Sequence, residues 1–245
     1  MNGGKLTVTG NGAVETKGRM VIARGGGEVV IENGMFESAT SDVIRVEDGK
    51  AVINGGDLTG REGAVTAREG GSTIVVNDGH LTGTDNFAVA TNGLNGMGNN
   101  HVTINGGTFE GNIVSPGYEA IGIYIANNDT FVMNGGEIIA HGGTGLCMRG
   151  GNVTIKGGKI TATNVDKNGN IVADGKIGDD PTVMEGCSAV IYHESANYPG
   201  KEGMRLTITG GTITGVDHSV QVLSNEEEPQ VFVTGGTLTP VYPEA

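Results

Sequence analysis

Chemistry in this chain would have to come from a small set of side chains: five histidines, two cysteines and 28 carboxylates. His80 in "DGHL" and His141 in "AHGG" are imidazoles beside glycine, where a general base has room to meet a substrate. Hydrolysis by paired carboxylates needs both of them fixed on rigid elements at a defined separation. Neither histidine has two partner aspartates in its stretch, and Asp179 and Asp180 of "GDD" sit in an insertion that reads as a solvated loop. "HESAN", beginning at His193, lacks the second histidine of a zinc pair. Cys147 and Cys187 are 40 residues apart, in no metal-type spacing, and read as small buried or half-buried residues. "GNG" and "GLNGMG" open no strand-to-helix turn, so a phosphate cradle is not expected. No catalytic residue, metal or cofactor is assigned.

Composition narrows the partners. Net charge is −13, which repels nucleic acid. No apolar run approaches the ~18 residues of a membrane span, and "MNGGKLTVTG" leads into no apolar stretch, so no signal peptide is read at residue 1. Glycine supplies 46 of 245 residues, more than twice the usual ~7%. There is no triplet period, which excludes collagen, and proline is scarce. Abundant Val and Ile without Trp suit a core fed by many short strands.

Those strands are written as a repeat. "VTINGGTFEG" (102–111) returns as "AVINGGDLTG", "IVVNDGHLTG", "FVMNGGEIIA", "VTIKGGKITA", "LTITGGTITG" and "VFVTGGTLTP". The second residue of the Gly pair, or its equivalent, falls at 4, 34, 56, 79, 107, 136, 158, 211 and 236. The spacing has a floor near 22 and a variable excess, as a coil of fixed minimum length with loops of free length would show.

Alternation places three short strands in each unit. The triplet before Gly-Gly points two residues inward: Val29/Ile31, Ile74/Val76, Val102/Ile104, Phe131/Met133, Val153/Ile155, Leu206/Ile208 and Val231/Val233. One apolar residue follows the glycines: Phe36, Leu58, Leu81, Phe109, Ile138, Ile160, Ile213 or Leu238. A third strand comes later, with Ile44, Val65, Val89, Ile121, Leu146, Val190 and Val220 inward. Three inward stacks per unit imply a three-sided coil, and coils stacked at ~4.8 Å make three parallel sheets around one core. The glycines supply positive-φ corners, and Asn54, Asn77, Asn105 and Asn134 should stack as an amide ladder. The expected architecture is all-β: one domain over 1–245, about nine coils, with 161–188 as a loop excursion. Further loops fall at 92–100, 110–119 and 193–203.

The repeat, with "GYEAIGIYIANND", "GLCMRGG" and "KIGDD", resembles the right-handed parallel β-helix of the pectin-lyase-like family. It is also similar to Gly-rich β-helix proteins encoded among virion genes of phages and prophages. Lyases of that fold, as the resemblance implies, use acidic residues on neighbouring coils to hold calcium, with an Arg or Lys as base. Related hydrolases use paired Asp and a Gly-His-Gly stretch. This chain departs from both patterns. The reading is therefore a non-enzymatic structural or adhesive β-helix on a particle surface, a phage virion decoration or fibre protein for attachment or glycan binding. The alternatives are a bacterial surface or secreted carbohydrate-binding repeat, and a polysaccharide lyase or hydrolase.

Aligned by their inward residues, the third strands carry Glu47, Arg68, Asn92, Tyr124, Arg149 and His193 at one outward position. Tyr124 beside Arg149 offers a ring face and a guanidinium to a sugar or carboxylate, and ordinary polar decoration is the competing reading. Tyr118 and Tyr198, in loops, complete the candidate binding set of Tyr118, Tyr124, Arg149, His193 and Tyr198. Val30, Val52, Val75, Thr103, Val132, Thr154, Thr207 and Phe232 form an outward stripe about 35 Å long. Self-association, or docking to another virion or cell-surface protein, is expected there or at an uncapped N-terminal end. No nucleic-acid or membrane partner is expected.

Overall fold

The computed structural model describes residues 5–10, 13–17, 20–91, 94, 96–112, 120–166, 168–170, 187–194, 202–216, 218–224 and 228–240, with side chains described from residue 21 to residue 239. Every regular element among them is a strand. The strands form three sheets, and each repeat contributes one strand to each sheet in turn. Eight parallel strands per sheet make eight coils of a three-sided, right-handed parallel β-helix.

The ninth layer differs from a coil. Strand β1 (Lys5–Gly10) runs antiparallel to β4 (Gly27–Asn33), and β2 (Ala13–Lys17) runs antiparallel to β3 (Met20–Arg24). The expected open N-terminal coil is thus replaced by two reversed strands. They occupy the hydrogen-bonding edges of the first and third sheets, edges that unpaired strands would leave as templates for aggregation.

Pairing is in register among the parallel strands of the first sheet. Ile104 lies between Val76 and Met133, and all three are fully buried. Val29, Ile53, Leu81, Phe109, Ile138, Ile155, Leu206 and Ile213 belong to the same continuous core. Each fully buried Val, Ile, Leu or Phe contributes about 1.5–3 kcal/mol. At the last coil the core opens to solvent, and Val233 and Leu238 are exposed.

Two corners explain the repeat. After the triplet, the second glycine takes a positive φ, +90° at Gly107, and a Cβ there would sit 2.8 Å from the Gly79 carbonyl oxygen. Between the second and third sheets the chain bends so that two consecutive residues face inward: Val43 and Ile44, Ala64 and Val65, Ala88 and Val89, Ala189 and Val190. Gly122 and Gly145 hold the first of those positions in two coils. A Cβ on Gly145 would meet Ile160 Cγ2 at 2.6 Å, so the large residue of the second strand has taken that space.

This bend corrects one inward assignment. Val89 pairs with Ile123, not Ile121; Ile121 pairs with Phe87 and faces outward. The long Gly158–Gly211 interval adds one strand to each sheet. Asn152–Ile155 pairs directly with Arg205–Ile208, and Lys159–Thr163 with Thr212–Gly215. Gly143–Met148 pairs with Val190–His193.

Candidate functional site

The outer face of the third sheet is the most enclosed surface of the solenoid. Its central outward row, read through the pairing, is Arg45, Thr66, Ala90, Tyr124, Cys147, Ile191 and Gln221. Tyr124 is 8% exposed, and Cys147 and Ile191 are fully buried. Ala90, Ile121, Tyr124, Ala126, Cys147 and Ile191 make a second apolar cluster, with Phe87 and Leu223 packed on it. A strand buried on both faces is expected to read as continuously apolar, and "AIGIYI" and "GLCM" do.

This geometry revises the candidate row. Tyr124 pairs with Cys147, and Arg149 lies one residue past Met148, the partner of Ile125. The two side chains are therefore staggered by two residues along the strands. Taking Ile121 as the inward residue produced the misalignment. Arg149 and His193, expected at the surface, are 1% and 2% exposed. Tyr118, Tyr198, Asn92, Asp179 and Asp180 lie outside the described residues.

What the fold places beside Tyr124 is Phe87 and Arg68. The Phe87 and Tyr124 rings are 5.0 Å apart at 33°, a tilted aromatic pair. They line a cavity of about 160 Å³ together with Thr66, Ala67, Arg68, Ala90 and Thr91. The cavity exists because Ala90 stands between Thr66 and Tyr124 in the outward row. A small residue there leaves a slot between larger ones. The Thr66 hydroxyl is buried and has no hydrogen-bond partner among the described residues.

Charge beside the slot is balanced locally. Asp42, fully buried, accepts from Arg45 Nε at 3.1 Å and Nη2 at 3.0 Å, and lies 3.5 Å from Arg68 Nη2. Arg68 Nη2 is also 3.4 Å from Glu62. A buried carboxylate survives desolvation only with such partners. Sequence reasoning placed Arg68 in the outward row but missed Asp42 and Phe87, which lie at the start of their strands where the bend reverses the simple alternation.

Two other polar groupings stand apart from the slot. On the second sheet, Glu110 lies between two imidazoles, 3.3 Å from His80 Nε2 and 3.8 Å from His141 Nε2. The two histidines, separated by 61 positions in the chain, were read singly in the sequence, and only the coil stacking brings a shared carboxylate between them. Among the described residues no group of three or more His, Cys, Asp or Glu is arranged to hold a metal ion. The other grouping is internal. At the corner from the third to the first sheet, Ser72, Asn100 and Asp129 are fully buried and linked one above another. Ser72 N donates to Asn100 Oδ1 at 2.9 Å, and Asn100 N donates to Asp129 Oδ1 at 2.8 Å. Burial pushes the Asp129 carboxyl up from 3.8 to about 6, against hydrogen bonds from Thr91 and Asn100 that favour the ionised form.

On the first sheet the outward stripe is in register from Val30 to Phe232. Its members are partly exposed, and Arg205 caps its end with Cζ 4.1 Å over the Phe232 ring. Cys147 and Cys187 are both buried, and neither is in a disulfide.

No protein-family model, curated protein or solved structure matches this chain.

Proposed function

We propose that the chain is a non-enzymatic structural and adhesive β-helix displayed on a particle surface, a phage virion decoration or fibre protein that mediates attachment by binding glycan. The observation that carries this reading is the Phe87–Tyr124 ring pair beside Arg68, set on rigid paired strands of the third sheet. Aromatic faces with a guanidinium suit the apolar face and hydroxyls of a sugar. The resemblance of the repeat to pectin-lyase-like solenoids and to β-helix proteins of phage virions supports display on a particle. The stack of eight in-register coils supplies a stiff support for such a surface.

The Val/Thr stripe on the first sheet is the surface assigned to a second copy or a neighbouring virion protein. Apolar strips of that extent are seldom left in water. Gold-labelled antibody against the chain, applied to intact purified particles, tests the display. Label on the particle surface supports the proposal; particles that lack the protein altogether overturn it.

A further inference from the structure

We infer that the outer face of the first sheet pairs with the same face of a second copy of this chain, the two solenoids running in opposite directions about a two-fold axis. This rests on reading the Val/Thr stripe as an association surface, and adds the partner, its orientation and the residues that set it.

The balance of charge singles out this face. Three outward rows cross it: the stripe itself, the row that begins at Glu28, and the ladder row that begins at Glu32. Their charged members are Glu28, Glu32, Lys50, Lys156 and Arg205, three cations against two carboxylates. The outward rows of the second sheet carry Glu37, Asp57, Glu110 and Glu137 against Lys159 alone. A chain of net charge −13 repels its own copies, and the first sheet offers a face free of that repulsion.

The charges are also ordered along the solenoid. Both carboxylates stand on β4, and Lys50 on the second coil is paired to Glu28 at 2.7 Å. Lys156 and Arg205 stand on the sixth and seventh coils. The coils between carry Thr, Val and Asn outward, with His101 their one titratable group. A two-fold axis along the solenoid would set Glu28 of each copy against Glu32 of the other on the same coil. An axis across the middle of the stack instead lays the Glu28/Glu32 end of one copy on the Lys156/Arg205 end of the other. The uncharged middle coils then meet each other. Complementary charge favours this opposed pair.

Size sets the strength. The rows from Glu28 to Glu32 span about 13 Å, and seven coils span roughly 29 Å. The resulting face of about 400 Å² is half the ~800 Å² per partner of a standard interface. The pair is therefore weak and concentration-dependent, not obligate.

Sedimentation equilibrium over a wide range of protein concentration, at physiological ionic strength, tests the inference with Arg205→Glu, Glu28→Arg and the double reversal. Within one chain these two residues are six coils apart, roughly 29 Å, so only a second copy can couple them. The parent should dimerise. Each single reversal should weaken the dimer about tenfold, because the two-fold axis places the altered contact in it twice. The double reversal should restore the parent's affinity, and thermal melting confirms that each variant is folded. Single reversals without effect, or a double reversal no tighter than the singles, overturn the opposed pairing. If Val52→Lys/Val75→Lys/Val132→Lys still dissociates that dimer, the stripe stands as the contact. A parent that is monomeric at every concentration overturns the second copy as partner, and leaves the stripe to a neighbouring virion protein.

Discussion

Asn105 donates from Nδ2 to Oδ1 of Asn77 across 2.8 Å, the middle bond of an amide ladder that climbs one corner of the solenoid. Asn77 donates likewise to Asn54 and Asn134 to Asn105, each at 2.8 Å, and Asn54 ends the ladder on Glu32 at 3.0 Å. Asn105, Asn77 and Asn54 each accept from one neighbour and donate to the next, so the bonds run in one direction. Asn105→Asp keeps the acceptor for Asn134 and sets an oxygen against Asn77 Oδ1. It should cost about 1–2 kcal/mol at pH 7, partly regained below about pH 4, where the new carboxyl protonates. Denaturant titrations at the two pH values measure it; an unchanged midpoint at pH 7 means the ladder contributes nothing.

Asp129 makes stability depend on pH in the opposite sense to most carboxylates. Its folded pKa is about 6 against an ordinary 3.8, so the folded protein holds an extra proton between those values. Its contribution is full below about pH 4, falls as pH rises through 6, and is lost above that. The two-unit difference corresponds to roughly 3 kcal/mol. Asp129→Asn, a neutral isostere that still accepts from Asn100, should melt higher than the parent at pH 8 and lose this dependence. Equal melting differences between parent and variant from pH 4 to pH 8 would contradict the assignment.

Ile104 tests the continuity of the core. Ile104→Ala should cost about 2–5 kcal/mol, and Ile104→Asp more, because the carboxylate would be buried without a partner. A variant that melts like the parent means that the inward phase of the first sheet is wrong.

Gly107→Val should destabilise through the backbone as well as through space. Valine resists the +90° φ of Gly107, and its Cβ would press on the Gly79 carbonyl oxygen. Gly107→Ala shares both faults and should also fold less stably, though by less. Melting temperatures of both variants measure the effect, and Gly107→Val melting like the parent would contradict the assignment.

How far the sequence reached follows from which signal each feature leaves. The inward triplets, the residues after Gly-Gly and the ladder asparagines are in the positions expected, except that Val233 and Leu238 are exposed at the last coil, because period-two alternation and the glycine corner are local and recur from coil to coil. Ile121 was misplaced because "AIGIYI" offers isoleucine at 121, 123 and 125 alike. The bend puts Gly122 and Ile123 inward together, and glycine leaves no apolar mark. The reversed strands β1 and β2 were missed because "KLTVTG" alternates as a parallel strand would, and alternation carries no direction. Of the candidate site, Tyr124 lies at the slot. Its neighbours Phe87 and Asp42 are brought there by stacking, which no single stretch records.

The Val/Thr stripe predicts association. Val52→Lys/Val75→Lys/Val132→Lys places three charges on one row of the first sheet. Light scattering should find the parent self-associating or bound to its neighbouring particle protein, and the variant monodisperse and released. Monodisperse monomer in both cases, with the stripe uncovered on the intact particle, contradicts the assignment.

The claim that this solenoid binds glycan without transforming it is tested most directly by one incubation read in two ways. The protein is mixed with a panel of neutral and acidic glycans, with and without calcium; retention is read on the immobilised chain, and products are read by mass spectrometry. Retention of glycan by the parent protein, with every glycan recovered at its starting mass, is the predicted result. Any shortened or unsaturated product, formed by the parent protein and absent from a heat-denatured control, would contradict it.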